Sequence, residues 1–402
     1  MSDKLRNRIV GLLETAPVID GHNDLLICLR GKVRYDFDKA DIGQDRSDMG
    51  LHTDIPRLRA GGVGGQFWSV FVPGSMTGQT AVTATLEQID AAKTMIDRYD
   101  DLALATTADD IEAAFRDGRI ASLLGAEGGH SIDCSLGTLR MLYALGVRYM
   151  TLTHTSNTPW ADSGTDEPKV GGLSRFGREV VTEMNRIGMM VDLSHVAPTT
   201  MRTALEVSEA PAFFSHSNTL ALCSHPRNVP DDVLRTVGET NGMVMATFVP
   251  GFLTEKGREW MDAAEAFEDA CEAEYAHEEG DVAYRKVRQR RAEWLEDNPC
   301  PPTSTKDVAD HIEHIRDLAG VDCVGIGGDL DGIGNTPVDI PDVTAYPTLL
   351  EELAGRGWSD ADLAKLTSGN LIRVLRETEA AAERLSKHSG PSMKTFDELD
   401  GD

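Results

Sequence analysis

MMVDLSHVAPTTMRTALEVSEAPAFFSHS, residues 189–217, holds two apolar runs that each end in Ser-His, with a helix-like stretch between them. MMVDL and PAFF are near-continuous rather than alternating, the pattern of parallel strands covered on both faces. A strand, a helix and a second strand in about 30 residues make one parallel crossover unit. Each strand delivers an imidazole, His195 or His216, to its C-terminal end.

The same format recurs in both directions. PVIDGHND ends in His22 and Asp24, GGQFWSVFV carries Gln66 at its entry, IASLLGAEGG ends in Glu127 and VRYMTLTH ends in His154. GMVMATF ends at Phe248 and CVGIGGD ends in Asp329, giving eight strand-like segments in all. Helix-like stretches such as TLEQIDAAKTMIDRYDD, FGREVVTEMNRIG and DVADHIEHIRDLAG separate most of them. Eight βα units close a (β/α)₈ barrel of the α/β class. A doubly wound open sheet would carry a Gly-rich phosphate loop after its first strand, and GHNDLL is not one. Residues 253–300, rich in Ala and Glu and divided by Glu-Glu-Gly-Asp, predict a helical insertion after the seventh strand. It would act as a lid or oligomer contact, or be a solvated excursion. No composition shift marks a second domain, so residues 1–402 are expected to form one barrel domain with a flexible tail over about 386–402.

Composition narrows the function. The 402 residues are 41% hydrophobic and 26% charged, enough apolar content for a large core. Asp and Glu number 66 against 39 Lys and Arg, a formal charge of −27. That surface repels phosphate backbones and anionic lipid, so neither nucleic acid nor a membrane is an expected partner. No apolar run approaches the roughly 18 residues of a transmembrane helix, and no signal peptide or lipid-anchor tail is evident. Six scattered cysteines without a CxxC pair argue against a disulfide scaffold and for a cytoplasmic protein.

In such a barrel the active groups sit at the C-terminal ends of the strands. The groups there are imidazoles and carboxylates, ligands for zinc, with manganese or iron as alternatives. His22 and Asp24, two residues apart in an extended segment, face the same way. Glu127 ends a buried apolar strand, where an uncompensated carboxylate would cost several kcal/mol. Metals bridged by it would compensate the charge; an ion pair with Lys or Arg is the alternative. With His195 and His216 the ligands number five, more than one ion needs. Two ions about 3.5–4 Å apart can hold and acidify a water between them. Asp329 can accept that water's proton and return it to a leaving amine, with Asp331 as its competitor. His154 can donate to the oxyanion of a tetrahedral intermediate, or be a structural histidine bonded to the Asn157–Trp160 loop. Arg227 can clamp a substrate carboxylate, or be a surface residue paired with Asp231 or Asp232. His311 and His314 have no strand-end context and are expected at the surface.

These segments resemble the membrane (renal) dipeptidase family, the M19 metallopeptidases of the amidohydrolase-type barrels. VIDGHNDL, GGVGGQFWSVFVP, LLGAEGGHSI, GVRYMTLTHTSNTPWADS, GLSRFGREVVTEMNRIGMMVDLSHV, APAFFSHS, RNVPDDVL and VGIGGDLDG carry the resemblance, in the family's order, from about residue 17 to residue 375. The resemblance implies a zinc-dependent dipeptidase, one that tolerates a D-residue at the second position. It implies two Zn²⁺ per subunit, one on His22, Asp24 and Glu127 and the other on Glu127, His195 and His216, with a bridging hydroxide as nucleophile. His154 would assist at the scissile carbonyl, Asp329 would shuttle the proton and Arg227 would meet the C-terminal carboxylate. A homodimer is implied by the resemblance alone. Lactone, β-lactam or deaminase chemistry on the same binuclear site is the alternative activity.

Overall fold

The computed structural model describes residues 3–277 and 280–401. Its strands are β1 (Val18–Asn23), β2 (Val63–Ser69), β3 (Leu102–Leu104), β4 (Ile120–Ala126), β5 (Val147–Thr151), β6 (Met190–Asp192), β7 (Phe213–Phe214), β8 (Met243–Ala246) and β9 (Val324–Ile326). All pairings are parallel, in the order β2-β1-β9-β8-β7-β6-β5-β4. β2 then pairs with β4, from Gly65 opposite Ala121 to Ser69 opposite Gly125, and closes an eight-stranded (β/α)₈ barrel. Every residue of β1, β2 and β4 is buried, as the near-continuous apolar runs required.

β3 was not expected. It lies on β4 beside Ile120–Ser122, below the stretch Leu124–Ala126 that β5 occupies, so it adds a strand without interrupting the ring. Three residues, one of them exposed, carry too little apolar pattern to be read as a strand.

Large side chains fill the barrel. Ile19, Phe67, Leu123, Tyr149, Met190, Phe213, Met243 and Met245 belong to one buried cluster, with the Tyr149 ring 4.9 Å from Phe67 and 5.4 Å from Phe213. A filled interior leaves only the C-terminal rim for chemistry. The surrounding helices turn apolar stripes inward. Arg175–Ile187 buries Phe176, Val180, Val181 and Met184, is capped by Ser174, which accepts from Gly177 N at 3.1 Å, and ends on Gly188 at φ 86°.

The stretch after β8 forms the helices Glu255–Tyr275 and Gly280–Asp297. They hold each other through Phe267 and Trp294, 5.7 Å apart, and through Arg291 Nε on Glu268 at 3.0 Å. The C-terminal stretch carries the helix Phe396–Asp400, which returns to the barrel. Phe396 packs on Phe176, and Asp400 accepts from Ser174 Oγ and Phe176 N. Among the described residues no helix is long and apolar enough to cross a membrane.

Candidate metal centre

Glu127 follows the last residue of β4 and points into a ring of imidazoles. Its Oε1 lies 3.0 Å from His195 Nε2, 3.4 Å from His22 Nε2, 3.6 Å from His216 Nε2 and 3.7 Å from His154 Nε2. His195 Nε2 and His216 Nε2 are 2.9 Å apart. His22 Nε2 is also 3.4 Å from Asp24 Oδ2 and 4.0 Å from Asp329 Oδ1. Glu127 and His22 thus each belong to more than one group of converging ligand atoms: His22 with Glu127 and His216, Glu127 with His154 and His195, and His22 with Asp24 and Asp329.

The donor set fits divalent cations. Ligands on tetrahedral bonds of about 2.0–2.1 Å stand about 3.3 Å from one another, and the separations among Glu127, His195 and His216 run from 2.9 to 3.6 Å. Nε2 of His22 and Oδ1 of Asp24 are buried with no hydrogen-bond partner. Two of the distal nitrogens are engaged, while that of His195 is buried with no partner: His22 Nδ1 lies 2.8 Å from the Tyr149 hydroxyl, and His216 Nδ1 lies 2.8 Å from Ser215 Oγ. Both contacts orient the ring with Nε2 toward the cluster.

Electrostatics reinforce the convergence. Burial would raise the Glu127 carboxyl, but the imidazoles of His22, His195 and His154 hold it well below the usual carboxylate range. Burial opposes protonation of His22, and Tyr149, Glu127 and Asp24 outweigh it, so His22 is pushed well above its ordinary value. His195 and His216 are held well below theirs, by burial first and then by neighbouring positive charge that includes Arg227. Asp329 is pushed well above the carboxylate range by burial and by the charges of Asp24 and Glu127. Cations at the centre would relieve this crowding of carboxylates.

The backbone is strained where it presents these groups. His195 has φ 72° and Asp329 has φ 60°, left-handed values that non-glycine residues seldom adopt. The turn at His195 is held by Gly164 N donating to its carbonyl at 2.7 Å. Asp329 N donates to the His22 carbonyl at 3.1 Å, which ties the loop after β9 to the end of β1. Gly332 closes the same loop: a Cβ there would stand 2.3 Å from Asp24 Oδ2 and 2.4 Å from Asp329 Oδ1.

Several alternatives are resolved by position. Asp331 is in none of the groups of converging ligand atoms among the described residues; it accepts from His52 N at 2.7 Å and is pushed up to about 6 by burial. Arg227 is not a surface residue paired with Asp231 or Asp232. It is 3% exposed and reaches Ser217 Oγ at 3.4 Å and the His216 carbonyl at 3.3 Å. Its guanidinium lies 5.3 Å from the Phe252 ring centroid, and burial lowers it to about 10. Asp231 instead pairs with His314 and Asp232 with Arg202. The His154 ring lies 4.3 Å from that of His195, tilted by 34°, and its Nδ1 bonds nothing in the Asn157–Trp160 loop.

Reading the strand ends missed what stands beneath them. Asp20 Oδ1 accepts from His22 N at 2.8 Å and Gln66 Nε2 at 3.1 Å; its Oδ2 accepts from Gly328 N at 3.0 Å and from the Tyr346 hydroxyl. Asp192 Oδ1 accepts from Ser194 N at 2.9 Å and Ser215 N at 3.0 Å, joining the β6 and β7 turns. Both are carboxylates inside apolar runs, the signal that singled out Glu127. His311 is a correction: it is 1% exposed, accepts from Thr219 N at 3.1 Å through Nδ1 and donates to the Leu253 carbonyl at 3.0 Å through Nε2. Its helix, Thr305–Ala319, buries the face that carries it.

Known proteins share this arrangement of the chain. A dipeptidase 3 of Macaca fascicularis is 40% identical over 397 residues, 98% of this chain and 71% of that protein's length. The probable dipeptidase PvdM of Pseudomonas aeruginosa superposes with a TM-score of 0.80 at 22% identity, covering 95% of this chain and 100% of that one. A metallopeptidase of Rhodobacter sphaeroides, liganded with a phosphinate mimic of the dipeptide L-Ala-D-Ala, superposes with a TM-score of 0.74 at 24% identity, covering 90% of this chain and 99% of that one. The sequence profile of membrane dipeptidases, peptidase family M19, matches residues 6–389. With that match spanning nearly the whole chain and a metal-ligating rim in place, the protein is an enzyme of the membrane dipeptidase family.

Proposed function

We propose that the enzyme hydrolyses dipeptides, L,D-dipeptides included, on two zinc ions. His22, Asp24 and Glu127 would hold one ion, and Glu127, His195 and His216 the other. The observation that carries this reading is the Glu127 carboxylate, whose Oε1 lies within 3.7 Å of four imidazole nitrogens. When bound, the two ions acidify a water and polarise the scissile carbonyl.

The chain's own groups do the rest. Asp329 Oδ1, at the edge of the cluster, takes the proton of the attacking water and returns it to the departing amine. His154 Nε2 donates to the carbonyl oxygen as that oxygen gains charge. Arg227, buried and with no carboxylate in ion-pair distance among the described residues, binds the substrate's C-terminal carboxylate. The L-Ala-D-Ala mimic on the Rhodobacter sphaeroides relative supports a D-residue at the second position.

Metal analysis by mass spectrometry, with turnover of L,L and L,D dipeptides, tests the reading. Two zinc ions per chain and cleavage of both series are expected. Turnover of lactones, β-lactams or aminopurines in preference to every dipeptide would overturn it.

A further inference from the structure

We propose that the hollow between the helical insertion and the loop after β9 receives the side chain of the dipeptide's C-terminal residue and selects large apolar side chains. The inference rests on the role given above to Asp329. The nitrogen that Asp329 protonates belongs to the C-terminal residue, and its α-carbon is one bond further on. That residue's side chain therefore leaves the scissile bond close to Asp329.

Gly332 places the hollow there. It lines a cavity of about 200 Å³, and a Cβ on it would meet the carboxylates of both Asp24 and Asp329. Across the cavity stand Trp260, Met261 and Ala264 of the helix Glu255–Tyr275, with Val249 and Ile333 completing an apolar wall. Glu265 and Arg291 add opposite charges, so the lining favours no charged side chain. Met261 seats the insertion on the loop after β8: its Sδ and Cε occupy the space a side chain on Gly251 would need, at 2.8 and 2.5 Å. A second hollow of about 490 Å³ shares Trp260, Arg291, Gly334 and Asn335 with the first and continues outward to Pro299–Pro302. A long or aromatic side chain can therefore extend past the first cavity without meeting a closed end.

The test is the steady-state kinetics of the metal-loaded enzyme on Ala-Ala, Ala-Phe and Ala-Trp, each with an L or a D C-terminal residue. Wild type is expected to show higher kcat/KM for Ala-Phe than for Ala-Ala. Ala264→Leu, which narrows the cavity, lowers that ratio about tenfold, while Met261→Ala, which widens it, raises the ratio of Ala-Trp to Ala-Phe. Melting temperature and metal content show that each variant is folded and loaded, and Met261→Ala decides the matter if Ala264→Leu does not fold. Substrates that shift in parallel, leaving the ratios within twofold of wild type, overturn the subsite alone. A wild-type enzyme that cleaves none of the dipeptides overturns the subsite and the dipeptidase reading together.

Discussion

The phenol oxygen of Tyr149 lies 2.8 Å from Nδ1 of His22, at the top of the packed barrel interior. The same hydroxyl donates to the Gly21 carbonyl at 3.2 Å, so Nδ1–H of His22 donates to the phenol and Nε2 faces the cluster. Gly125 makes room for the ring: a Cβ there would stand 2.0 Å from Tyr149 Cζ. Tyr149→Phe keeps the packing and removes the orienting contact. Loss of such a contact lowers metal affinity by roughly 10–100-fold. Competition against a chromophoric chelator is expected to show a loss in that range, with little change in melting temperature.

Glu127 and Asp329 separate metal binding from proton transfer. Glu127→Ala removes the carboxylate shared by both proposed ligand sets, so metal content measured by mass spectrometry should fall to near zero, and activity with it. Asp329→Asn keeps the shape of the side chain and removes its basicity. General acid–base catalysis contributes about 10²–10⁴-fold, so kcat is expected to fall by that factor while metal content holds. Full activity of Glu127→Ala would refute the bridging role.

The barrel and the rim were legible because the apolar runs are near-continuous, as parallel strands require, and six of the eight end in an imidazole or a carboxylate. β3 was not, since the three residues Leu102–Leu104, one of them exposed, carry too little apolar pattern to be read as a strand. Asp20 and Asp192 were passed over because the strands were read for their ends, although a carboxylate within an apolar run demands donors whether it binds a metal or braces a turn. His311 was misread for a different reason. Its helix carries Asp310, Glu313 and His314 on one side, and only the tertiary fold turns the face with His311 toward the loops after β7 and β8.

Arg227 is the buried cation of the rim, and its proposed work is done on substrate rather than on metal. Arg227→Ala is expected to raise KM while metal content stays at the wild-type level. A hydrogen bond to a charged group is worth about 1.5–3 kcal/mol, which corresponds to roughly 10–150-fold in affinity. Arg227→Lys should recover only part of the loss, because an ammonium cannot reproduce the two-point contact of a guanidinium. Progress curves across a dipeptide concentration series provide the measurement; a fall in kcat at unchanged KM would contradict the clamp.

His311 gives the fold an acid-sensitive tie away from the metal rim. Burial holds it down to about 4, against the pull of the Leu253 carbonyl and of Asp310. Its Nδ1 is an acceptor for Thr219 N and its Nε2 a donor to Leu253 O, so a second proton would break the first of these bonds. The folded value lies below the ordinary 6.5, so as pH falls the unfolded chain takes up the proton first. The stabilisation is complete above about pH 6.5 and is lost as pH falls toward 4; the whole shift corresponds to about 3 kcal/mol. A glutamine at this position can donate and accept in the same directions and does not titrate. The stability of wild type relative to His311→Gln is therefore expected to fall between pH 7 and pH 4, as read from denaturant midpoints at each pH, and parallel profiles would show that His311 is not the group responsible.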